Sequence, residues 1–355
     1  MPRKRLLSDG RDDGLTPLES LDLDGATSFA DLLHAMSKTA FGGRALGEAL
    51  DVTVAMVEDP DCRVVLTLSG AMTIGKMGKV ISKMIETGMV QAVVSTGALM
   101  AHGLSESVGL AHYRYDPRMS DKELFEKGYN RVYDTLEMEA NLNEVEAFNA
   151  RALASLAEER QLSSQIVCRT LGRLLAEDPK ADGVLRTAYE KDVPVYVPAF
   201  TDSELGLDLA TWAMQRGRLT GAESLEELLS RIPPFNPFLD LSSFAKFAVS
   251  AKRLGIFTIG GGVPRNWAQE VGPFVDVMNH RLGLGLDSPR YRYAVRICPE
   301  PVHWGGLSGC TYSEGVSWGK FIPRTQGGRF AEVYADATTV WPLLIKGVLE
   351  ELGVA

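Results

Sequence analysis

The stretch RVVLTLSGAMTIGKMGKVISKMIETGMVQAVVSTG, residues 63–97, decides the fold. Residues 63–70 are a short run of β-branched and other apolar side chains, residues 76–88 carry apolar side chains at helical spacing, and residues 91–97 form a second apolar run. Strand, helix and strand in this order predict a βαβ unit, whose two strands lie parallel in one sheet.

Further apolar runs continue this alternation along the chain. Each is bounded by Gly, Pro or Asp and indicates a buried parallel strand. These runs are VPVYVPA (193–199), GIFTIGGG (255–262), YAVRI (293–297) and EVYADA (332–337). Residues 121–190 are rich in Glu, Leu and Ala at helical spacing and predict an added helical layer, and residues 338–353 predict a final amphipathic helix. We therefore expect an α/β fold, a Rossmann-like doubly wound parallel sheet with an added helical layer.

The composition is that of a globular protein. Of 355 residues, 45% are hydrophobic and 23% are charged, which excludes a disordered or fibrous chain. Residues 1–27 carry no sustained hydrophobic period and predict a mobile N-terminal extension. Residues 28–355 predict a single domain, since no low-complexity linker divides them.

Charge and hydropathy exclude several classes of partner. With 37 Lys and Arg against 46 Asp and Glu, the net charge is -9, the wrong sign for a nucleic-acid surface but suitable for a small cationic ligand. No apolar run approaches the roughly 18–20 residues that cross a bilayer. The basic start has no apolar stretch behind it, so we expect a cytoplasmic protein without a membrane segment.

The spacing of cysteines and histidines gives no metal signature. The four cysteines lie far apart without a CxxC pair, and the five histidines show neither HxxxH nor HExxH spacing. We therefore predict no metal site and reduced cysteines.

The turn after the first strand matches GxxxxGK but departs from a P-loop at the next position. Gly70 to Lys76 supply the match, whereas Met77 stands where a nucleotide triphosphatase needs Ser or Thr to hold magnesium. The backbone N–H groups at such a helix start still suit a phosphate. A P-loop enzyme stays an alternative that Met77 opposes.

Glycine turns and acids at several predicted strand ends point to a dinucleotide. Gly260–Gly262 follow one strand directly, and Gly70, Gly97, Asp202 and Asp336 follow others. Open α/β sheets bind dinucleotides outside the carboxyl ends of their strands. The GxGxxG fingerprint is absent, and a tight turn after a buried strand is the alternative for each glycine.

Lys320 is the candidate nucleophile. It lies in SEGVSWGKF (313–321), and a lysine in an apolar pocket loses its proton more easily and can form imines. Glu314 is placed to orient an amine, and the face of Trp318 is suited to a cation. A surface lysine lying along an aromatic ring is the alternative. His102, in GALMAHG after a predicted strand, is a further candidate site residue.

These residues resemble the deoxyhypusine synthase family and its relatives, including homospermidine synthase. The match is strongest at EGVSWGK (314–320). The segments PVYVPAFTDSELG (194–206), GIFTIGGGVP (255–264) and VYADATTVWPLL (333–344) also follow the family's order and approximate spacing, over roughly residues 28–355.

The resemblance implies an NAD-dependent transfer of an aminobutyl group from a polyamine. Hydride leaves a carbon beside a polyamine nitrogen, Lys320 captures the four-carbon unit as an imine, and a second amine displaces it before the stored hydride returns. That acceptor is a protein lysine in deoxyhypusine synthase and putrescine in homospermidine synthase. The resemblance also implies a homotetramer with sites at subunit interfaces.

The family's motifs assign further site residues. Glu314 and Trp318 inherit contacts to the polyamine. The NAD contacts fall on Ser69, Gly70, Ala71, Met72, Thr73, Thr96, Gly97, Asp202, Gly261, Asp336 and Ala337.

The chain departs from the family in the expected substrate pocket. Leu207 and Leu307 stand where the family has acids, Asn266 replaces a substrate-binding His, and His102 replaces a Glu of the eukaryotic enzymes. A buried ammonium without a carboxylate would cost a few kcal/mol, so spermidine binds differently or another amine is the substrate.

Displaced acids are one answer to this departure. Glu204 and Asp208 lie four residues apart and would share a helix face. Deoxyhypusine formation, small-polyamine synthesis and a non-catalytic protein that binds NAD or polyamine all stay open.

Overall fold

The computed structural model describes residues 8–354. Residues 8–27 are mostly exposed and form no helix or strand. The first helix starts after Ser28, whose hydroxyl accepts a hydrogen bond from the Asp31 amide. Residues 1–7 of the predicted extension lie outside the described residues.

Nine strands occur in the described part of the chain. They are β1 (Cys62–Leu68), β2 (Ala92–Ser95), β3 (Tyr113–Arg114), β4 (Tyr129–Val132), β5 (Thr135–Met138), β6 (Val195–Tyr196), β7 (Arg253–Ile259), β8 (Tyr291–Ile297) and β9 (Arg329–Val333). Six of them form one parallel sheet in the order β6-β2-β1-β7-β8-β9. The other three form a small antiparallel sheet in the order β3-β5-β4.

The order of the large sheet confirms the predicted doubly wound fold. From β1 the chain moves outward through β2 to β6, returns to β7 on the other side of β1, and moves outward again to β9. Such a reversal opens a crevice between the carboxyl ends of the two central strands, here β1 and β7. Ligands of open α/β sheets bind in that position.

Helices cover both faces of the large sheet. They are α1 (Phe29–Ser37), α2 (Phe41–Glu58), α3 (Gly78–Glu86), α4 (Gly97–Ser107), α5 (Asp121–Glu126), α6 (Glu139–Ser155), α7 (Ser164–Ala176), α8 (Val184–Glu190), α9 (Glu204–Leu219), α10 (Leu225–Leu229), α11 (Pro237–Val249), α12 (Gly262–Gln269), α13 (Val271–Leu282), α14 (Tyr312–Ser317) and α15 (Ala337–Glu351). The larger core packs α1–α4, α6–α9 and α15 on one face, and the smaller core packs α11–α14 on the other.

Burial on both faces explains why the strands read as continuous apolar runs. In β1, the side chains of Val64 and Leu66 enter the larger core and that of Val65 enters the smaller one. In β8 the same alternation sends Val295 to the larger core and Ala294 to the smaller one. The face with the smaller core also carries the candidate active site.

The predicted helical layer in residues 121–190 is confirmed by α5 to α8, but two strands that composition did not indicate interrupt it. Helix α5 ends at Glu126, and Gly128, two residues later, has a φ of 67°, a left-handed conformation that suits glycine and prevents the helix from continuing. The chain then forms the β4–β5 hairpin, with Tyr133 and Asp134 between its strands. The predicted final helix is confirmed as α15, which contains Pro342.

None of the described helices combines the length and the apolar composition needed to cross a bilayer.

Candidate active site

Lys320 lies in a cavity of about 410 Å³ on the face of the smaller core. Its backbone is fixed by the sheet, because the Lys320 carbonyl accepts a hydrogen bond from the Tyr291 amide at the start of β8. The neighbouring Phe321 ring is fully buried. The Lys320 side chain is itself about nine-tenths buried, so the alternative of a surface lysine is wrong.

Two oxygen atoms hold the Lys320 ammonium. Its Nζ lies 2.7 Å from Oε1 of Glu270 and donates a hydrogen bond of 3.0 Å to Oδ1 of Asn266. Both residues belong to α12 and its C-terminal cap. Asn266, predicted as a substrate residue, therefore contacts the candidate nucleophile directly.

Glu314 and Trp318 line the same cavity. Glu314 lies in the first turn of α14, whose N-cap Thr311 accepts a hydrogen bond from the Glu314 amide. The Trp318 ring centroid lies 5.9 Å from Lys320 Nζ, and 67% of Trp318 is exposed. One cavity thus brings together two carboxylates, an indole face and an amine, a combination suited to a cationic ligand.

Two buried arginines hold the wall opposite α12. Arg265 donates hydrogen bonds to the carbonyls of Leu307, Ser308 and Cys310, and Arg296 donates to those of Ser308 and Cys310. Backbone oxygens accept from both guanidinium groups, and Arg296 also pairs with Glu332 at 2.6 Å, so this wall is held firmly while Arg265 contributes a positive charge to the cavity.

Lys320 is the available nucleophile of the cavity. The other candidate is Cys310, and burial raises the pKa of its thiol, against the lowering effect of the nearby Arg265 charge. A protonated thiol is a poor nucleophile.

The predicted NAD residues meet at the crevice between β1 and β7. Ser69 follows β1, and its hydroxyl hydrogen-bonds with both the amide and the carbonyl of Gly261, which follows β7. Thr96 follows β2, and its hydroxyl donates to the Gly70 carbonyl at 2.5 Å. These contacts join three strand ends at one place.

Two further loops flank this crevice. Gly97, the first residue of α4, lies against Ser203, beside the exposed Asp202. At the other side, Thr338 of α15 approaches Gly75, and the preceding Asp336 caps α15 by accepting from the Thr339 amide. Hydrogen bonds, first from the Thr338 hydroxyl, lower the pKa of Asp336 below its usual value.

The crevice fits a dinucleotide. Gly70 and Gly262 have φ angles of 66° and 59°, and a Cβ built on either would find no atom closer than 3.8 Å, so a ligand can approach the backbone there. The N-terminus of α4 adds a positive dipole end for a phosphate. Asp202 and Asp336 are exposed carboxylates that can accept hydrogen bonds from ribose hydroxyls.

Four other predicted NAD residues face the protein interior or the loop itself. The Thr73 hydroxyl donates to the Leu99 carbonyl inside the fold, Met72 packs against the larger core, and Ala337 is buried as the first residue of α15. Ala71 accepts a hydrogen bond from the Ile74 amide within the turn. Thr73 and Ala337 are buried and shape the crevice from inside, whereas Ala71 and Met72 are half-buried.

The structure opposes the P-loop alternative. Lys76 has a φ of 61°, and its Nζ lies 3.1 Å from Glu106 and 2.7 Å from Nδ1 of His112. A P-loop lysine must instead reach the phosphates.

His102 lies in a separate cluster and is not among the described residues that line the Lys320 cavity of the same chain, and its assignment as a substrate residue stays a prediction. Its Nδ1 lies 3.2 Å from Oε2 of Glu137, which His112 also contacts through Nε2. Burial alone would raise the pKa of Glu137, but hydrogen bonds from His102, His112 and Asn141 outweigh it and lower this pKa to about 2.

His102, His112 and Glu137 are the one group among the described residues whose side chains could together hold a metal ion, since their ligand atoms lie within 4.8 Å of one another. The contact of Lys76 with Nδ1 of His112 makes this nitrogen an acceptor. A metal-bound histidine instead donates from its second nitrogen to a carboxylate, carbonyl or water. The contacts therefore favour a hydrogen-bonded ion network. Sequence spacing missed this cluster because its members come from α4, β5 and a loop.

Asp208 also lies apart from Lys320. Its carboxylate accepts a 2.6 Å hydrogen bond from Asn149 between α9 and α6. Burial raises the pKa of Asp208, and the carboxylates of Glu146 and Glu204 raise it further, against the hydrogen bond from Asn149. Glu204 and Asp208 do share a face of α9, which packs toward α6, and neither is among the described residues that line the Lys320 cavity of the same chain, so the role of Asp208 stays a prediction.

One of the two acids that line the cavity, Glu270, was missed. Glu270 follows GGGVPRNWAQ and lies far from Lys320 in sequence, so no local pattern predicts that the two side chains are in contact. A usable signal is the helical spacing of Asn266 and Glu270, four residues apart and therefore on one face.

The family model described as deoxyhypusine synthase matches residues 31–348. "Probable deoxyhypusine synthase 2" of Methanosarcina acetivorans is 32% identical over 325 residues, which cover 91% of this chain and 87% of the relative. A "deoxyhypusine synthase-like protein" of Elusimicrobium minutum is 31% identical and is covered over 82% of its length, with 92% of this chain.

Among solved structures, the fold is similar to that of an Entamoeba histolytica protein proposed to be a deoxyhypusine synthase. The TM-score is 0.57 at 14% identity, and the likeness covers 93% of this chain and 96% of the other. This likeness supports the fold.

Proposed function

The chain belongs to the deoxyhypusine synthase family and is therefore a transferase, and from this premise we propose that it moves an aminobutyl group from a polyamine through an imine on Lys320, with NAD as cofactor. The observation that carries the proposal is the Lys320 cavity. A mostly buried lysine faces Glu270, Glu314 and the ring of Trp318, and each of these three groups suits an ammonium ion.

In the proposed reaction, the carboxylates and the indole orient the cationic chain. When bound, NAD accepts a hydride from the polyamine carbon beside a nitrogen and later returns it. Neutral Lys320 attacks the resulting imine carbon, forms a new C–N bond, and the bond to the departing diamine breaks after its nitrogen takes a proton. Lys320 then holds the four-carbon unit as an imine until an acceptor amine attacks the same carbon and displaces it.

NAD is proposed to lie in the crevice between β1 and β7. The turns at Ser69–Gly70 and Gly260–Gly262 would face its phosphates, together with Thr96 and Gly97 at the start of α4. Asp202 and Asp336 would accept from its ribose hydroxyls.

We propose a cytoplasmic homotetramer in which a partner subunit completes each site. The support is that none of the predicted NAD residues is among the described residues lining the Lys320 cavity. A second copy that presents its own crevice to this cavity would bring the cofactor to the lysine.

A small diamine is a second candidate for the acceptor, beside a protein lysine. Leu307 lies in the cavity wall where the family has an acid, and Leu207 is 62% exposed at the start of α9. With fewer carboxylates, the site suits a shorter cation such as putrescine.

A transfer assay tests the proposal. The protein is incubated with NAD and spermidine labelled in its butyl part, with putrescine or a protein lysine as acceptor. We expect release of 1,3-diaminopropane, label in one acceptor and no net NADH. Lys320→Arg should abolish the release, whereas Lys346→Arg, at a half-exposed lysine of α15, should retain it. Binding of NAD without any transfer would overturn the proposal and leave a non-catalytic homologue.

A further inference from the structure

We propose that Glu270 is a charge switch that holds Lys320 as an ammonium in the free protein and releases it when a cationic substrate takes its place. This inference rests on the proposed function, and it adds a positioning residue that also selects the substrate by charge. It follows from the contacts of Glu270, its exposure, and the charges that surround Lys320.

The backbone of Glu270 is rigid while its carboxylate is accessible. Glu270 caps α12 and also begins α13, with its amide bonded to the Asn266 carbonyl at 2.9 Å and its carbonyl bonded to the Phe274 amide at 2.8 Å. Its side chain is 47% exposed, against 10% for Lys320. A ligand that enters the cavity therefore meets this carboxylate on the way to the lysine.

The other charged groups around Lys320 leave Glu270 as its main ionic partner. Arg265 of α12 donates to backbone carbonyls, and Glu314 of α14 lines the cavity without a salt bridge to any described residue. Near Gly319, Arg290 and Asp276 pair with each other at 3.7 Å. The charged groups that line the cavity are therefore the Lys320–Glu270 pair, Glu314 and Arg265, and only Glu270 is in ionic contact with Lys320.

The free state is unreactive in this arrangement. A carboxylate at 2.7 Å favours the charged form of an amine, and an ammonium has no lone pair with which to attack carbon. The ion pair thus protects Lys320 from adventitious carbonyl compounds.

A cationic substrate reverses this preference. When its ammonium binds Glu270, Lys320 loses its ionic partner and gains a like charge nearby, and both changes favour the neutral amine. The proton of Lys320 leaves to water through the open side of the cavity. The neutral lysine then remains close to the substrate carbon, while Asn266 still accepts a hydrogen bond from its Nζ.

The switch selects substrates by charge. Lys320 is freed only by a molecule that has a second ammonium group to bind Glu270. Diamines and polyamines have such a group, and neutral carbonyl compounds do not. The amine at the reacting end is held separately by Glu314 and Trp318.

Acetylation of Lys320 by acetic anhydride, followed across pH by peptide mass spectrometry, tests the proposal without NAD or transfer. The Glu270→Gln variant keeps the shape of the side chain and removes its charge. We expect its midpoint for Lys320 acetylation to lie about one pH unit or more below that of the unaltered protein. Glu314→Gln, which removes a carboxylate not paired with Lys320, should lower the midpoint less.

A second arm tests the release itself. A butane carrying two trimethylammonium groups cannot be acetylated, and calorimetric titration measures its binding. At saturation this dication should lower the pH midpoint of Lys320 acetylation in the unaltered protein and leave the midpoint of Glu270→Gln unchanged. Equal midpoints in the unaltered protein and Glu270→Gln, or a bound dication that leaves the midpoint of the unaltered protein in place, would overturn the switch. Either result is independent of whether the protein transfers an aminobutyl group.

Discussion

Lys320 Nζ and Glu270 Oε1 lie 2.7 Å apart, although one residue follows α14 and the other ends α12. This ion pair joins the two walls of the cavity that carries the proposed chemistry. It also supplies a carboxylate to the pocket of a chain in which Leu207 and Leu307 replace two acids of the family.

Trp318 should contribute to amine binding. Its ring faces the cavity at 5.9 Å from Lys320 Nζ, within the range of a cation–π contact. We expect Trp318→Ala to raise the KM for the amine about tenfold, with a smaller change in kcat, and Trp318→Phe to lose only part of the effect. Steady-state kinetics with the amine varied would measure this, and an unchanged KM in Trp318→Ala would exclude the contact.

Leu307 should limit the length of the amine that binds well. It is 50% exposed in the cavity wall, so Leu307→Asp adds a third carboxylate without burying it completely. We expect spermidine to gain affinity relative to putrescine by about three- to tenfold. Calorimetric titration of both amines measures the ratio. Leu219→Asp, at an exposed position on α9, is the control and should leave the ratio unchanged.

Gly261 should be required for both ligand sites. A Cβ at this position would lie 2.5 Å from the Cα of Ser308, so Gly261→Ala must push apart the crevice loop and the cavity wall. We expect a loss of about 1–3 kcal/mol in the free energy of unfolding and weaker NAD binding. Gly42→Ala, whose Cβ would meet no atom within 4 Å, should change stability by less than about 0.5 kcal/mol. Unchanged urea unfolding and NAD titration in Gly261→Ala would contradict this prediction.

Glu137 should stabilise the fold near neutral pH and less in acid. Its pKa is lowered to about 2 in the folded state, against about 4.3 for a free glutamate. The contribution is therefore present above pH 4.3 and is lost as the pH falls toward 2. We expect Glu137→Gln to lower the free energy of unfolding by about 2 kcal/mol at pH 7 and by less at pH 3. A difference that stays constant between these pH values would show that the ionised carboxylate is not responsible.

The parallel sheet was predictable because strands buried on both faces must be apolar throughout. Residues 63–70 and 255–262 show this directly, and both form central strands, β1 and β7. The β4–β5 hairpin was not predictable from composition, since Leu and Glu are common in helices and the deciding event is the left-handed Gly128.

The site was predictable only where a motif carries it. EGVSWGK contains Lys320, Trp318 and Glu314, and these three share one cavity. The position of the Glu270 carboxylate beside Lys320 depends on how α12 packs against the chain after α14, and no local sequence pattern predicts this packing. For Asp208 the predicted helix face is correct, because it lies on one face of α9 with Glu204. Its carboxylate contacts Asn149 of α6, and the direction of that face is set by packing.

The most direct test of the central claim is borohydride trapping at Lys320. The protein is incubated with NAD and, separately, with spermidine, putrescine or agmatine, then reduced and digested, and the peptide that contains Lys320 is weighed by mass spectrometry. The account predicts a mass increase on Lys320 that requires both NAD and one of these amines. Binding of NAD without an adduct from any amine would contradict the lysine imine and leave Lys320 with a structural role only.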